Sequence, residues 1–195
     1  ISFKMIITEP KWKKWVVETL NPIFTPKLCQ EIIDLSKELP KKSGTILLKG
    51  QTKPILSVRS STVTWLPFDR MTPMYDDLDT FIQKTNRNHF GFNDIRITEP
   101  AQFSEYQKGD FYDWHMDTEL FMDKEPPVRK LSMTLLLNDP KEFEGGDLII
   151  AGLNASPKQK GKATIFASFL QHKVTPVTRG IRKSLVMWFG GEPFK

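Results

Sequence analysis

Cysteine occurs once in this 195-residue chain, at Cys29, and histidine only three times, at His89, His115 and His172. A single cysteine excludes an internal disulfide and the thiolate-rich structural zinc sites of small modules. No apolar run approaches the ~18 residues that would suggest a membrane span. Internal repeats, low-complexity linkers and any Ser/His/Asp grouping suited to nucleophilic catalysis are also missing. Charge of one sign is never concentrated. The net charge is +5, yet the lysines are scattered through "KWKK", the pair at 41–42 and "KQKGK" at 158–162. With no basic helix and no interleaved aromatic platform, this reads as a solvated cationic surface, so nucleic acid is not the expected partner. The first residue is Ile, which leaves a preceding segment open. These absences together predict a soluble, cytoplasmic protein without a membrane partner.

What is present suits one domain spanning 1–195, with 39% hydrophobic and 11% aromatic residues to fill a core. Thr25 as N-cap and Pro26 in the first turn predict a helix to about Leu39, with Cys29 as an inert core thiol. A second helix is predicted from Thr72-Pro73, through Leu78, Phe81 and Ile82 at helical spacing. "SVRSSTVTWL" alternates and is β-branched, so it reads as a strand. From about residue 96 onward the pattern is strands: "DIRITEPAQFSEY", "KLSMTLLLN", "GGDLII", "KATIFASF" and "IRKSLVMWF". No helices separate these strands, which excludes a doubly wound parallel sheet. The expected class is α+β, a jelly roll (double-stranded β-helix) over about 96–195, buttressed by a helical support and loop region over about 1–95.

"WHMDTELF" places His115 and Asp117 at i and i+2, on one face of an extended chain. HxD alone is short and arises by chance, but His172 follows 55 residues after Asp117 in "FLQHKVTPV". Two histidines and one carboxylate, two of them close and the third distant, have the spacing of a facial triad. Such a triad holds Fe(II) and leaves three positions open. Arg182 comes ten residues after His172, in the terminal strand. There Arg182, Ser184, Val186 and Trp188 share one face, and Ile181, Leu185, Met187 and Phe189 share the other. The second set is an ordinary core face. The first puts an arginine inside a strand that reads as buried, and a buried arginine needs an anion. Together with the triad, that anion is best read as a dicarboxylate cosubstrate, which the guanidinium fork matches. His89 has no partner at metal spacing and reads as a helix-end histidine. Gly145-Gly146 supplies the positive backbone angles of a hairpin.

"YQKGDFYDWHMD", followed by "LSMTLLLND", "FEGGDL" and "HKVTPVTRGIRKSLVMWF", resembles the Fe(II)/2-oxoglutarate-dependent dioxygenases, in the prolyl 4-hydroxylase-like branch of bacterial and phage type. "PIFTPKLCQEIIDL" and "VRSSTVTWL" extend the resemblance upstream. It implies His115, Asp117 and His172 as iron ligands and Arg182 as the holder of the distal carboxylate of 2-oxoglutarate. It places Tyr106, Ser132 and Trp188 around the cosubstrate, with Trp188 also on the substrate side. Tyr106 reads equally as a core tyrosine. Ser132, Thr134 and Leu136 face inward by strand parity, and Leu136 stands where some relatives have a tyrosine. Arg129 falls where relatives carry a substrate-side basic residue, although a solvated loop arginine fits as well. The resemblance implies Fe(II), with 2-oxoglutarate and O2 as cosubstrates, and leaves room for ascorbate as reductant.

The activity so implied is hydroxylation, with a prolyl residue of a peptide or protein as the preferred substrate. Lys41–Leu56 would be a loop folding over the bound peptide, and "TELFMDKEPPVRK" the opposite lip. A free amino acid or other small molecule is the alternative substrate. A nucleic-acid demethylase would show a second arginine six residues beyond Arg182, where this chain has Trp188. A jelly-roll binding module without catalysis is disfavoured because all three ligands and the arginine are present.

Overall fold

The computed structural model describes residues 14–48, 51–53, 57–118 and 127–194. The apolar start "FKMIITEP" lies outside the described residues. So do most of the "TELFMDKEPPVRK" lip and residues 49–50 and 54–56 of the expected lid.

Two α-helices and sixteen strands are formed among the described residues. The helices are α1 (Pro26–Glu38) and α2 (Thr72–Thr85). The strands are β1 (Val16–Glu18), β2 (Lys42–Ser43), β3 (Ile46–Leu48), β4 (Gln51–Lys53), β5 (Arg59–Ser60), β6 (Thr62–Leu66), β7 (Arg96–Ile97), β8 (Ala101–Tyr106), β9 (Phe111–His115), β10 (Val128–Leu136), β11 (Phe143–Gly145), β12 (Leu148–Ile150), β13 (Ala163–Ala167), β14 (His172–Val174), β15 (Val177–Gly180) and β16 (Arg182–Gly191). The larger sheet runs β1-β13-β10-β16-β8-β6-β2, with β7 added on β16, and the smaller runs β12-β14-β9-β5. Pairing is antiparallel in both. This is the expected jelly roll, a β-double layer with helices outside.

Each predicted helix forms for the predicted reason. Thr25 caps α1, its hydroxyl accepting from the Leu28 amide at 3.2 Å. Cys29, Ile32, Ile33 and Leu35 of α1 and Met74, Tyr75, Leu78 and Ile82 of α2 turn inward. They pack on Leu131, Met133 and Leu135 of β10 and Leu185, Met187 and Phe189 of β16. Burial of each such side chain contributes roughly 1.5–3 kcal/mol. Tyr75 then ties α2 to the sheet, donating to Leu66 O at 2.6 Å and accepting from the Ala101 amide at 2.8 Å. Because side chains alternate along a strand, the apolar face toward the helices leaves Ser132, Thr134, Arg182, Ser184 and Trp188 on the opposite face. The polar residues of the larger sheet therefore line the interior of the roll.

Several details differ from the sequence reading. "SVRSSTVTWL" is not one strand: β5 pairs with β9 in the smaller sheet and β6 with β8 in the larger, so the chain changes sheets at Ser61. Strand β14 is a separate three-residue strand that "FLQHKVTPV" did not reveal. Ile181 lies outside the core, 38% exposed and one residue before β16 begins. Gly145 and Gly146 do have positive φ, +70° and +62°. They connect β11 to β12, however, and these pair with different partners, so the turn is a crossover and not a hairpin. The first half of the chain also supplies strands to both sheets besides its helices. No helix among the described residues is long and apolar enough to cross a membrane.

Candidate metal centre

Strand pairing builds the centre. His172 of β14 stands directly opposite His115 of β9 in the ladder. Asp117 lies just past the end of β9, its amide bonded to Ser168 O at 2.9 Å. The sequence spacing of 55 residues thus closes into one cluster, in which the ligand atoms of His115, Asp117 and His172 lie within 4.8 Å of one another. Nε2 of His115 is 3.7 Å from one Asp117 oxygen, and Nε2 of His172 is 3.4 Å from the other.

The donor chemistry fits a divalent metal. Nδ1 of His115 donates to Asp113 O at 2.8 Å, and Nδ1 of His172 donates to Leu170 O at 2.9 Å. A carbonyl can only accept, so both protons sit on Nδ1 and both Nε2 lone pairs face the cluster. Burial, aided by His172 alongside, pulls the His115 imidazole down to about 3, so it is neutral at ordinary pH. Burial alone would raise the Asp117 carboxyl. His172, His115, Arg129 and a hydrogen bond from Ser132 outweigh it and hold Asp117 at about 2. A neutral imidazole beside an ionised carboxylate is the protonation state that metal ligation requires. Two nitrogens and one carboxylate without sulfur suit Fe(II).

Ser132 is fully buried and donates to Asp117 at 2.6 Å, with Ser168 Oγ 2.9 Å away. It holds the carboxylate from behind and so orients it. Tyr112 stacks on the His115 ring at 3.4 Å and 8°, and the Arg59 guanidinium covers Tyr112 at 4.5 Å.

A cavity of about 420 Å³ opens in front of these residues, between the two sheets. One wall is Trp188, buried to 5%, with Arg129 stacked on its ring at 3.7 Å. Arg129 is not a solvated loop residue, because Glu99 clamps it through two bonds of 2.6 Å. Trp188 Nε1 is buried and has no hydrogen-bond partner among the described residues. Arg59, which the sequence reading passed over, is 5% exposed. It donates to Ser61 Oγ at 2.8 Å and Thr45 O at 3.0 Å. The only hint of its burial was its inward parity with Ser61 and Val63.

Arg182 lies deeper, 4% exposed, opposite Tyr106 in the ladder with its guanidinium 5.5 Å from the Tyr106 ring. It donates to Ser184 Oγ at 2.8 Å and forms no ion pair among the described residues. Burial pulls its pKa down. Gly146 leaves room for its stem: a Cβ there would lie 2.8 Å from Arg182 Cδ. His89 sits apart, on the helical turn after α2, as expected of a helix-end histidine.

Residues 101–190 match the family described as the 2OG-Fe(II) oxygenase superfamily. A PKHD-type hydroxylase of Psychrobacter sp. (strain PRwf-1) is 30% identical over 148 residues, which is 71% of this chain and 57% of that protein. A PKHD-type hydroxylase of Xylella fastidiosa (strain M23) is 38% identical over 101 residues, 47% of this chain and 44% of the other. The chain thus spans about half the length of the curated relatives it matches. Among solved structures, the viral collagen prolyl hydroxylase of Paramecium Bursaria Chlorella virus-1, as a 2OG complex, has a TM-score of 0.72 at 18% identity, covering 92% of this chain and 97% of its own. A Pseudomonas putida prolyl-4-hydroxylase has a TM-score of 0.66 at 20% identity, covering 91% and 92%. At these identities the structural likeness speaks to the fold.

Proposed function

We propose, from the premise that residues 101–190 carry a 2OG-Fe(II) oxygenase domain, that the protein is an Fe(II)- and 2-oxoglutarate-dependent hydroxylase of a prolyl residue in a peptide or protein. The observation that carries the reading is the convergence of His115, Asp117 and His172 beside a cavity that adjoins, through Thr134 and Leu148, a small hollow lined by the buried Arg182, which forms no ion pair among the described residues.

His115, Asp117 and His172 would hold the metal. When bound, Fe(II) with 2-oxoglutarate and O2 supplies the oxidation, coupling cosubstrate decarboxylation to hydroxylation of a C–H bond. The chain's own contribution is position and exclusion of water. Ser132 and Ser168 fix the Asp117 carboxylate, while the two backbone carbonyls fix the imidazoles. Tyr112 stacked on His115 restrains that ring further. Arg182 would take the distal carboxylate, with Tyr106 beside it, because a fork with no carboxylate partner in a low-dielectric site binds an anion strongly.

The mouth supports a peptide substrate. Trp188 offers a flat apolar wall for a pyrrolidine ring, and its unpaired Nε1–H is available to a carbonyl oxygen. Arg129, held by Glu99, keeps that wall in place. The expected lid also has a physical root. Arg59 holds Thr45 O at the cavity edge, and the β3–β4 hairpin grows out directly afterwards. The names of the relatives and of the structural neighbours, PKHD-type hydroxylases and prolyl hydroxylases, lean the same way.

The test is mass spectrometry of proline-containing peptides after incubation with the protein, Fe(II), 2-oxoglutarate and O2. One added oxygen on proline is the expected product. Succinate formation with oxygen appearing only on a free amino acid would move the substrate to the small-molecule class. No 2-oxoglutarate consumption under any condition would overturn the hydroxylase reading.

A further inference from the structure

Beyond Arg182 the roll contains a second, smaller hollow of about 30 Å³, room for a single small polar group. It shares Thr134 and Leu148 with the main cavity and is otherwise lined by Arg182, Lys162, Thr164 and Lys158, among others. Two of its cations besides Arg182 differ in their commitments. Lys158 is engaged: its ammonium lies 2.7 Å from Asp147 and donates to Gly145 O at 2.6 Å. Lys162 has neither an ion pair nor a side-chain hydrogen bond among the described residues.

The ladder explains why Lys162 faces this hollow. Thr164 pairs with Thr134, which pairs with Val186. Two residues along, the Leu136 amide meets Lys162 O at 3.4 Å, and Leu136 pairs with Ser184. Parity therefore puts Lys162, Leu136 and Ser184 in one inward row, and Ser184 accepts from Arg182. Leu136 and Leu148 bring no polar atom to this row.

We propose that Lys162 is a second cation of the cosubstrate site, and that it and Arg182 together bind the distal carboxylate. This rests on the reading of the cavity as a 2-oxoglutarate site. A carboxylate has two oxygens and about four lone-pair positions, more than one fork fills. The hydroxyls that line the hollow, Thr134, Ser156 and Thr164, are neutral and Lys158 is already paired with Asp147, so the ammonium of Lys162 supplies the further charged donor for the remaining lone pairs. Lys162 is half-buried, so its contribution is screened more than that of Arg182.

The experiment is calorimetric titration of the full chain loaded with Mn(II), without turnover, using 2-oxoglutarate and, separately, pyruvate, which carries the same 2-oxo acid but no distal carboxylate. Lys162→Met keeps the stem and removes the charge. Its affinity for 2-oxoglutarate should fall about tenfold, pyruvate binding should be unchanged, and Lys162→Arg should restore most of the loss. Wild-type affinity for 2-oxoglutarate in Lys162→Met would make Lys162 a surface lysine and overturn the proposal. Equal loss for both acids would also overturn it, by showing a general disturbance. If the wild-type, metal-loaded protein binds pyruvate or 2-oxoglutarate no better than the metal-free protein, the cosubstrate reading itself fails, and Lys162 with it.

Discussion

The mouth of the cavity and its base, the small hollow adjoining it through Thr134 and Leu148, each hold a buried or half-buried arginine, and the two are treated oppositely. At the mouth, Arg129 is neutralised within the chain by two bonds to Glu99 and laid flat on Trp188. At the base, Arg182 is more deeply buried, donates to a hydroxyl, lies near a tyrosine ring and feels the charge of Asp147 without forming an ion pair among the described residues. A cation already paired with a carboxylate has little left for a ligand, so at the mouth it serves as shaped wall. An unpaired cation in a low-dielectric pocket is a standing cost that a bound anion relieves. On the proposed function, the contrast suits a neutral substrate at the mouth and an anionic cosubstrate at the base.

The hardest test of that arrangement removes what both ends serve. Asp117→Ala should abolish metal binding and 2-oxoglutarate consumption while circular dichroism stays close to wild type. Retained turnover would dissolve the assignment of both ends. Next in size, Arg182→Lys keeps the charge and loses the fork. Losing one charge-assisted hydrogen bond of about 1.5–3 kcal/mol should weaken 2-oxoglutarate roughly ten- to a hundredfold or more, with metal affinity unchanged in titration. The mouth should respond differently. Glu99→Gln leaves Arg129 without its counter-charge in a partly exposed site, so peptide hydroxylation should fall by about tenfold, or ~1.4 kcal/mol. Decarboxylation of 2-oxoglutarate without substrate should hardly change. Equal loss of the two rates would erase the distinction between mouth and base. The smallest effect is expected of Gly146→Ala, whose Cβ would press on Arg182 Cδ at a φ of +62°. It should lower the melting temperature, costing about 1 kcal/mol or more, and weaken 2-oxoglutarate a few-fold by displacing the guanidinium stem.

The base of the cavity was the more legible end in the sequence, for a physical reason. Arg182, Ser184 and Trp188 sit on a long strand whose period-two alternation separates an apolar face from a polar one, so an inward arginine stands out. His115 and Asp117 are readable for the same reason. Residues whose role depends on which strands pair are not. Arg59 sits where the chain changes sheets, in a stretch that alternates as if it were one strand. Ser132 was rightly placed inward by parity, but its neighbour across the roll is Asp117, and parity says nothing about neighbours. Lys162 belonged to a run of lysines that composition describes only as solvated. Glu99 comes next to a proline, in a segment with no periodicity, and nothing local announces its reach to Arg129.

The direct pairing of His172 with His115 also makes the metal a proofreader of assembly. A strand that slips by one residue turns every side chain to the opposite face. On β14 that slip would swing His172 outward and bring in Lys173, whose ammonium now lies 4.7 Å from the exposed Trp114 ring. An ammonium in place of an imidazole repels a divalent cation instead of ligating it. Metal uptake by a refolded sample therefore counts the molecules whose short central strands have found their correct partners, and mass action draws the remainder toward that register.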